Sequence, residues 1–292
     1  MNHGFDPGGL APPLAAAWAR LTARLAAFPS LLVAFSGGVD SALLLAAAAR
    51  ALPAERLAAG LCVGAFTPWW EAQRARDLAQ SLGARLVELD ADELSQPSIA
   101  VNDSQRCYYC KKLRLMLLTR QARQMGLAEL AEGSQLDDAG DFRPGVKAVR
   151  ELGVHSPLAE AGLDKAMVRA LSRALGLPTA DVPAAACLAS RLPWGRPLDA
   201  AVLARIQAAE AGVRAVLGEA LIRVRDHFPL ARLELDPALL ATAASEPARG
   251  RIVAAVEASG YASVCLDLKG YRQGGAQSSR GDASIDVVTK ET

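Results

Sequence analysis

The chain has 292 residues, 51% of them hydrophobic, and its 32 Lys and Arg against 31 Asp and Glu leave a formal net charge of +1. That composition supplies core enough for one large or two modest soluble domains and excludes the basic footprint of a dedicated nucleic-acid binder. No apolar run reaches the length of a bilayer span and no secretory pattern opens the chain, so neither nucleic acid nor membrane is an expected partner, and the expected location is the cytoplasm.

Residues 1–13 carry no periodic pattern and read as a flexible lead into a helix over Leu14 to Phe28. The apolar runs Leu31 to Phe35, Leu57 to Ala65, Arg85 to Asp90 and Leu127 to Glu132 read as strands. Helical stretches over Ala42 to Arg50, Glu71 to Leu82 and Tyr109 to Met125 separate them, and Asp164 to Leu175 forms a further helix. This βαβ rhythm predicts an α/β domain over residues 14–178, built on a parallel sheet covered on both faces. Ligands of such sheets sit at the carboxyl ends of the strands, here near Ser36, Thr67 and Ser134. Residues 179–197 are irregular and rich in proline. A helix over Asp199 to Val216, strands over Ala220 to Arg225 and Ala231 to Leu235, a helix over Pro247 to Ser259 and a strand over Ser263 to Leu268 predict a small α+β domain, residues 198–272. The Gly-, Ser- and Gln-rich residues 273–292 read as a disordered tail.

Ser36-Gly37-Gly38-Val39-Asp40-Ser41 joins the first strand to a helix. Paired glycines let the main chain approach an anion, the helix end offers amides, and Ser36 and Ser41 add hydroxyls. Asp40 can reach a magnesium ion bridging phosphates. The stretch lacks the Gly-Lys-Ser/Thr ending of the common NTPase loop and the three-glycine spacing of a dinucleotide fold. It resembles instead the pyrophosphate loop of the ATP pyrophosphatase superfamily, whose members split ATP into AMP and pyrophosphate.

Cys107-Tyr108-Tyr109-Cys110-Lys111 places two thiols at a helix start, where the dipole and neighbouring lysines favour thiolates. A third thiol, Cys187, lies in the irregular segment. Three thiols match either an incomplete zinc site, for which His155 is the local fourth ligand, or a [4Fe–4S] cluster with one free iron. Plain structural thiols are the bland alternative. Cys62 and Cys265 fall inside apolar strands and are expected to pack in the core. Trp69 and Trp70, at the end of the second strand, offer rings for stacking on a base or simply for packing. Asp137 and Asp138 can approach ATP or magnesium, or cap the next helix. Arg223 and Arg225 share one strand face at a spacing suited to gripping a phosphate; a solvated strand face is the alternative.

Ser36 to Ser41, Glu132-Gly133-Ser134-Gln135-Leu136-Asp137-Asp138, Arg143-Pro144-Gly145, Ser156-Pro157-Leu158 and Cys187-Leu188-Ala189-Ser190-Arg191 occur together and in order. With them the chain, from about residue 14 to residue 272, resembles the LarE family, ATP-dependent sulfur transferases that make the nickel-pincer cofactor of lactate racemase. The resemblance implies an acceptor that is a pyridinium dicarboxylate mononucleotide, adenylated and then attacked by sulfur. It implies ATP and Mg2+ at Ser36, Gly37, Gly38, Val39, Asp40, Ser41, Gly133, Ser134 and Asp137. It assigns the acceptor's phosphate to Arg223 and Arg225, and Glu210, Glu234 and Asp267 to substrate or subunit contacts, each also explicable as a surface salt bridge.

One branch of the family sacrifices a cysteine at the position of Cys187; another holds a [4Fe–4S] cluster on three cysteines. Cys107, Cys110 and Cys187 favour the cluster branch; Arg191, close after Cys187, can stabilise a thiolate or cluster charge, or simply cap its loop. The family also implies a ring-like homo-oligomer, a hexamer, and the sulfide donor is not identified by the sequence. Two departures stand out: Ala180-Asp181-Val182-Pro183 where the family carries Trp-Asp-Lys-Pro, and Gly274-Gly275-Ala276 where it carries Gly-Ser-Leu-Asn. A tRNA sulfurtransferase of the same superfamily should carry a basic RNA face, and an amide-forming ligase using glutamine should carry a glutaminase segment. Neither feature is evident. A ligase using free ammonia and a nucleotide-binding module without activity are the remaining alternatives.

Overall fold

In the computed structural model, which describes residue 5 and residues 7–139, 144–183 and 186–272, the predicted strands form one parallel sheet. β1 (Leu31–Ala34) lies between β2 (Leu57–Val63) and β4 (Glu129–Ala131), and β3 (Leu86–Asp90) lies outside β2. The chain therefore steps from β1 to β3 in one direction and returns to place β4 on the other side of β1. That reversal opens a crevice at the carboxyl ends of β1 and β4, where doubly wound sheets take their ligands.

The period of two along each strand sorts its side chains between two cores. Leu31 and Val33 of β1 pack with Ala59 and Leu61 of β2 on one face, beneath α1 (Pro12–Ala26), α2 (Val39–Ala51), α3 (Trp69–Ser81) and, past the short α4 (Pro97–Ala100), elements from the far end of the unit. Leu32, Ala58, Cys62 and Leu130 face the other core, covered by α5 (Arg106–Gln124) and α6 (Pro144–Glu151). α2 carries fully buried side chains from Ala42 to Ala48, which is why its sequence is apolar all round. Two short segments punctuated by proline, α4 and α7 (Pro157–Glu160), escape the periodicity reading because a single turn shows no period; α8 (Lys165–Ala174) matches expectation.

The described residues up to Leu188, with Pro197–Leu203, form one compact unit; Ala189–Arg196 and the described residues from Ala204 form another. The chain passes from the first unit to the second within α9 (Ala200–Leu217), after which β5 (Ile222–His227), β6 (Leu230–Leu235), α10 (Leu240–Ala244), α11 (Ala248–Ala258) and β7 (Ser263–Leu266) follow in order. β5 and β6 pair antiparallel and β7 joins β6 parallel. Both faces of β5 are buried, which excludes the alternative of a solvated strand face: Arg223 and Arg225 are buried, as are Glu210 and Glu234. Cys265 departs from expectation in the opposite sense, being exposed on β7, while Cys62 is buried. The expected tail, residues 273–292, and Arg143 of the quoted motif lie outside the described residues.

Candidate active site

The crevice is floored by the loop after β1. Gly37 turns it with φ +75° and packs so tightly that an added Cβ would lie 2.8 Å from Ala75 Cβ. Ser36 N–H donates to Ser41 Oγ at 3.2 Å, and Ser41 Oγ donates to the Gly38 carbonyl at 3.1 Å, closing the loop on itself. Gly38 caps α2 without a side chain, so the first amides of this 13-residue helix carry no side-chain cap at the crevice, and Asp40 is the acid of its first turn. The loop after β4 closes the other side. Gly133 has no room for a side chain, because a Cβ there would be 3.0 Å from Ser41 N. A cavity of about 390 Å³ opens above these loops, lined by Ser36, Asp40, Ser41, Gly133 and Ser134 among others.

Lys165, Glu93 and Arg114 escaped the sequence reading, and Lys111 and Glu132 entered it without the pairing seen here. Lys165 Nζ binds both oxygens of Asp40, at 2.7 and 2.6 Å, while its backbone N–H donates to Asp137 Oδ2 at 3.0 Å. A lysine in the first turn of a helix opposes the dipole, and that misplaced charge is the signal that could have found it. Lys111 meets Glu132 at 2.8 Å, and Ser134 N–H and the Ser156 hydroxyl donate to the other oxygen of that carboxylate. Burial would raise the Glu132 carboxyl, but Lys111 and these donors hold it below its ordinary value. Arg114 also lines the cavity, held by the fully buried Glu93.

The thiols stand on the same helix as Lys111 and Arg114. Burial pushes the Cys110 thiol up to about 12, opposed by Arg114 and assisted by the nearby Cys187 and Cys107. The three cysteines are thus neighbours, although among the described residues no group of three or more metal-binding side chains is drawn to ligating geometry. His155 does not join them: its ring nitrogens face Glu129 at 3.0 Å and Arg24 at 3.1 Å. Trp69 and Trp70 open α3 rather than ending β2; Trp70 is buried and Trp69 exposed. Asp138 lines the cavity and accepts from Gln135 N–H at 3.0 Å.

In the second unit Arg191 is bidentate to Glu210 at 2.7 and 2.8 Å, both buried, so the expected surface salt bridge at Glu210 is instead an interior one. Arg225 pairs with Glu234 at 2.6 Å, and Arg232 with Asp267 at 2.6 Å. Arg223 has no such acid among the described residues. It donates to the Ile222 carbonyl, lies 5.4 Å from the Tyr271 ring, and keeps a buried Nε without a partner. Burial, with Arg191 nearby, lowers it to about 10.

An α/β enzyme that handles the phosphates of a nucleotide is the class this crevice defines. No family model matches the chain. Among curated proteins it is 35% identical over 261 residues, 89% of the chain and 94% of the relative, to the pyridinium-3,5-bisthiocarboxylic acid mononucleotide synthase of Lactiplantibacillus plantarum. It is 36% identical over 243 residues, 83% of the chain and 90% of the relative, to an uncharacterized protein of Synechocystis. Among solved structures, a glutamine-dependent NAD+ synthetase from Acinetobacter baumannii in complex with ADP aligns over 56% of the chain with a TM-score of 0.45 and 18% identity. The chain spans 33% of that protein. Similarity to the synthase along nearly the whole of both sequences places the chain in its family: it belongs to the LarE family of ATP-dependent sulfur transferases.

Proposed function

We propose that the enzyme adenylates a carboxylate of pyridinium-3,5-biscarboxylic acid mononucleotide and replaces the adenylate with sulfur. The carboxylate oxygen attacks the α-phosphorus of ATP, expelling pyrophosphate; sulfur then attacks the acyl carbon, expelling AMP and leaving a thiocarboxylate. The similarity to the bisthiocarboxylic acid mononucleotide synthase carries this reading. The amides at the start of α2, with Ser36 and Ser41, suit the departing pyrophosphate. Asp40 suits Mg2+, since its carboxylate already holds a cation, the Lys165 ammonium, between both oxygens. In the second unit, Arg223 is a buried cation short of partners and suits an anion, the phosphate-binding role that the resemblance gives it with Arg225.

For the sulfur, the thiols of Cys107, Cys110 and Cys187 suit a [4Fe–4S] cluster in kind and in neighbourhood, as the mutual influence at Cys110 indicates. Bound there, such a cluster supplies an open iron able to carry sulfide. A homohexamer and an external sulfide donor belong to the same reading. Release of pyrophosphate from ATP tests it: the pyridinium dicarboxylate mononucleotide should stimulate release, and tRNA should not. Stimulation by tRNA alone would overturn the proposal.

A further inference from the structure

Arg114 has no part in the phosphate chemistry above. It follows Cys107 by seven residues and Cys110 by four, so the three share one stripe of α5. Its Nε donates to Glu93 Oε1 at 3.1 Å, and its Nη2 donates to the same oxygen at 2.5 Å and to Thr67 Oγ1 at 3.1 Å. Nη1 has no partner among the described residues, and the side chain, 26% exposed, lines the cavity. The anchor is rigid: Glu93 is fully buried, and a Cβ on Gly64 would lie 2.1 Å from its Oε2. The pair is half-buried, with Glu93 fully so, and an apolar side chain at this position, one turn before Leu118, would cover the sheet without desolvating a charge.

We infer that Arg114 is a substrate-binding residue, whose free Nη1 edge receives the acceptor carboxylate that is not being activated. The inference rests on the function proposed above. Two observations separate this anion from the phosphates. The phosphates have their own cradle at the start of α2, while Arg114 stands over β2 beside Thr67 and the thiol stripe. Arg114 and Glu93 together are neutral, which suits one ring carboxylate better than a multiply charged polyphosphate. An acceptor with two carboxylates on one ring keeps one charged while the other is adenylated. Gripping the charged one orients its neighbour toward ATP and toward sulfur held near Cys110.

Isothermal titration with two mononucleotides, carrying two ring carboxylates or one, tests this on the parent and on Arg114→Met. Arg114→Met leaves Glu93 buried without its cation, so Arg114→Met/Glu93→Gln, in which neither charge remains, is titrated in parallel. Removing the second carboxylate or the guanidinium should each weaken binding about tenfold to a hundredfold. Removing both should weaken it no further than either alone, and ATP affinity should stay within about twofold throughout. Additive losses, or a loss of ATP affinity with acceptor affinity unchanged, would refute the assignment. A parent protein that binds neither mononucleotide would refute the functional reading itself, and the assignment with it.

Discussion

Gly37 bears two constraints at once, a left-handed backbone and a wall formed by Ala75. Gly83 has a similar φ of +66° but open space around its missing side chain. Changing either to alanine should cost about 1–2 kcal/mol in backbone strain, measured by urea unfolding. Only Gly37→Ala should also lose ATP affinity, because only there must the loop shift away from α3. Equal ATP binding by the two variants would mean that the Ala75 contact does not set the loop. Glu132 makes a pH-dependent contribution whose sign follows from its partners. Burial opposes its charged form, yet Lys111, Ser134 and Ser156 hold the carboxyl below 4.5. A native value depressed below the unfolded one gives stabilisation that is full above the unfolded value and lost as pH falls through the native value. Glu132→Gln should therefore be markedly less stable than the parent at pH 7, with the gap narrowing below pH 4.5. A gap constant across that range would remove the carboxylate's charge from the account.

At the scale of elements, α5 decides the site because it carries the thiols, Lys111 and Arg114 together. It packs closely on the sheet at Gly60, where an added Cβ would lie 2.3 Å from Leu118 Cδ2. Gly60→Ala should lift or tilt the helix and destabilise by about 1–3 kcal/mol, with a loss of ATP binding. Leu118→Ala added to Gly60→Ala should recover part of the ATP affinity even while it costs core packing. Failure of the second change to restore any affinity would show that helix height is not the controlling variable. The strands and longer helices of this unit were legible because short continuous apolar runs such as β2 and long helical stretches such as α5 alternate along the chain. The glycine loop was legible because its serines and aspartate are contiguous. Glu93, Arg114 and Lys165 were not, since their partners lie 21 residues away or more, at separations that only the parallel topology brings together. The burial of β5 on both faces was hidden for a related reason: arginines in a strand read as solvent-facing unless the pairing acids, Glu234 among them, are already placed.

For the whole molecule, the open question of consequence is how many products one chain can make. A sacrificial Cys187 would limit the yield to one sulfur per chain, whereas three thiols holding a cluster permit repeated transfer. Cys107 and Cys110 lie on α5 and Cys187 on a separate segment of the same unit, yet Cys110 feels both of the others. Nothing in the packing of α5 asks for an exposed Cys107 one turn from Cys110. Both positions are explained together if the thiols are donors. After anaerobic purification and reconstitution, the parent should hold about four irons and four acid-labile sulfides per chain, and Cys110→Ala should hold none. Product per chain should exceed one in the reconstituted parent when sulfide is supplied. An iron-free parent that still forms one thiocarboxylate per chain, with Cys187 consumed, would return the sulfur to Cys187 and leave Cys107 and Cys110 as bystanders. Because the two outcomes differ in iron content as well as in yield, neither can be mistaken for partial inactivation.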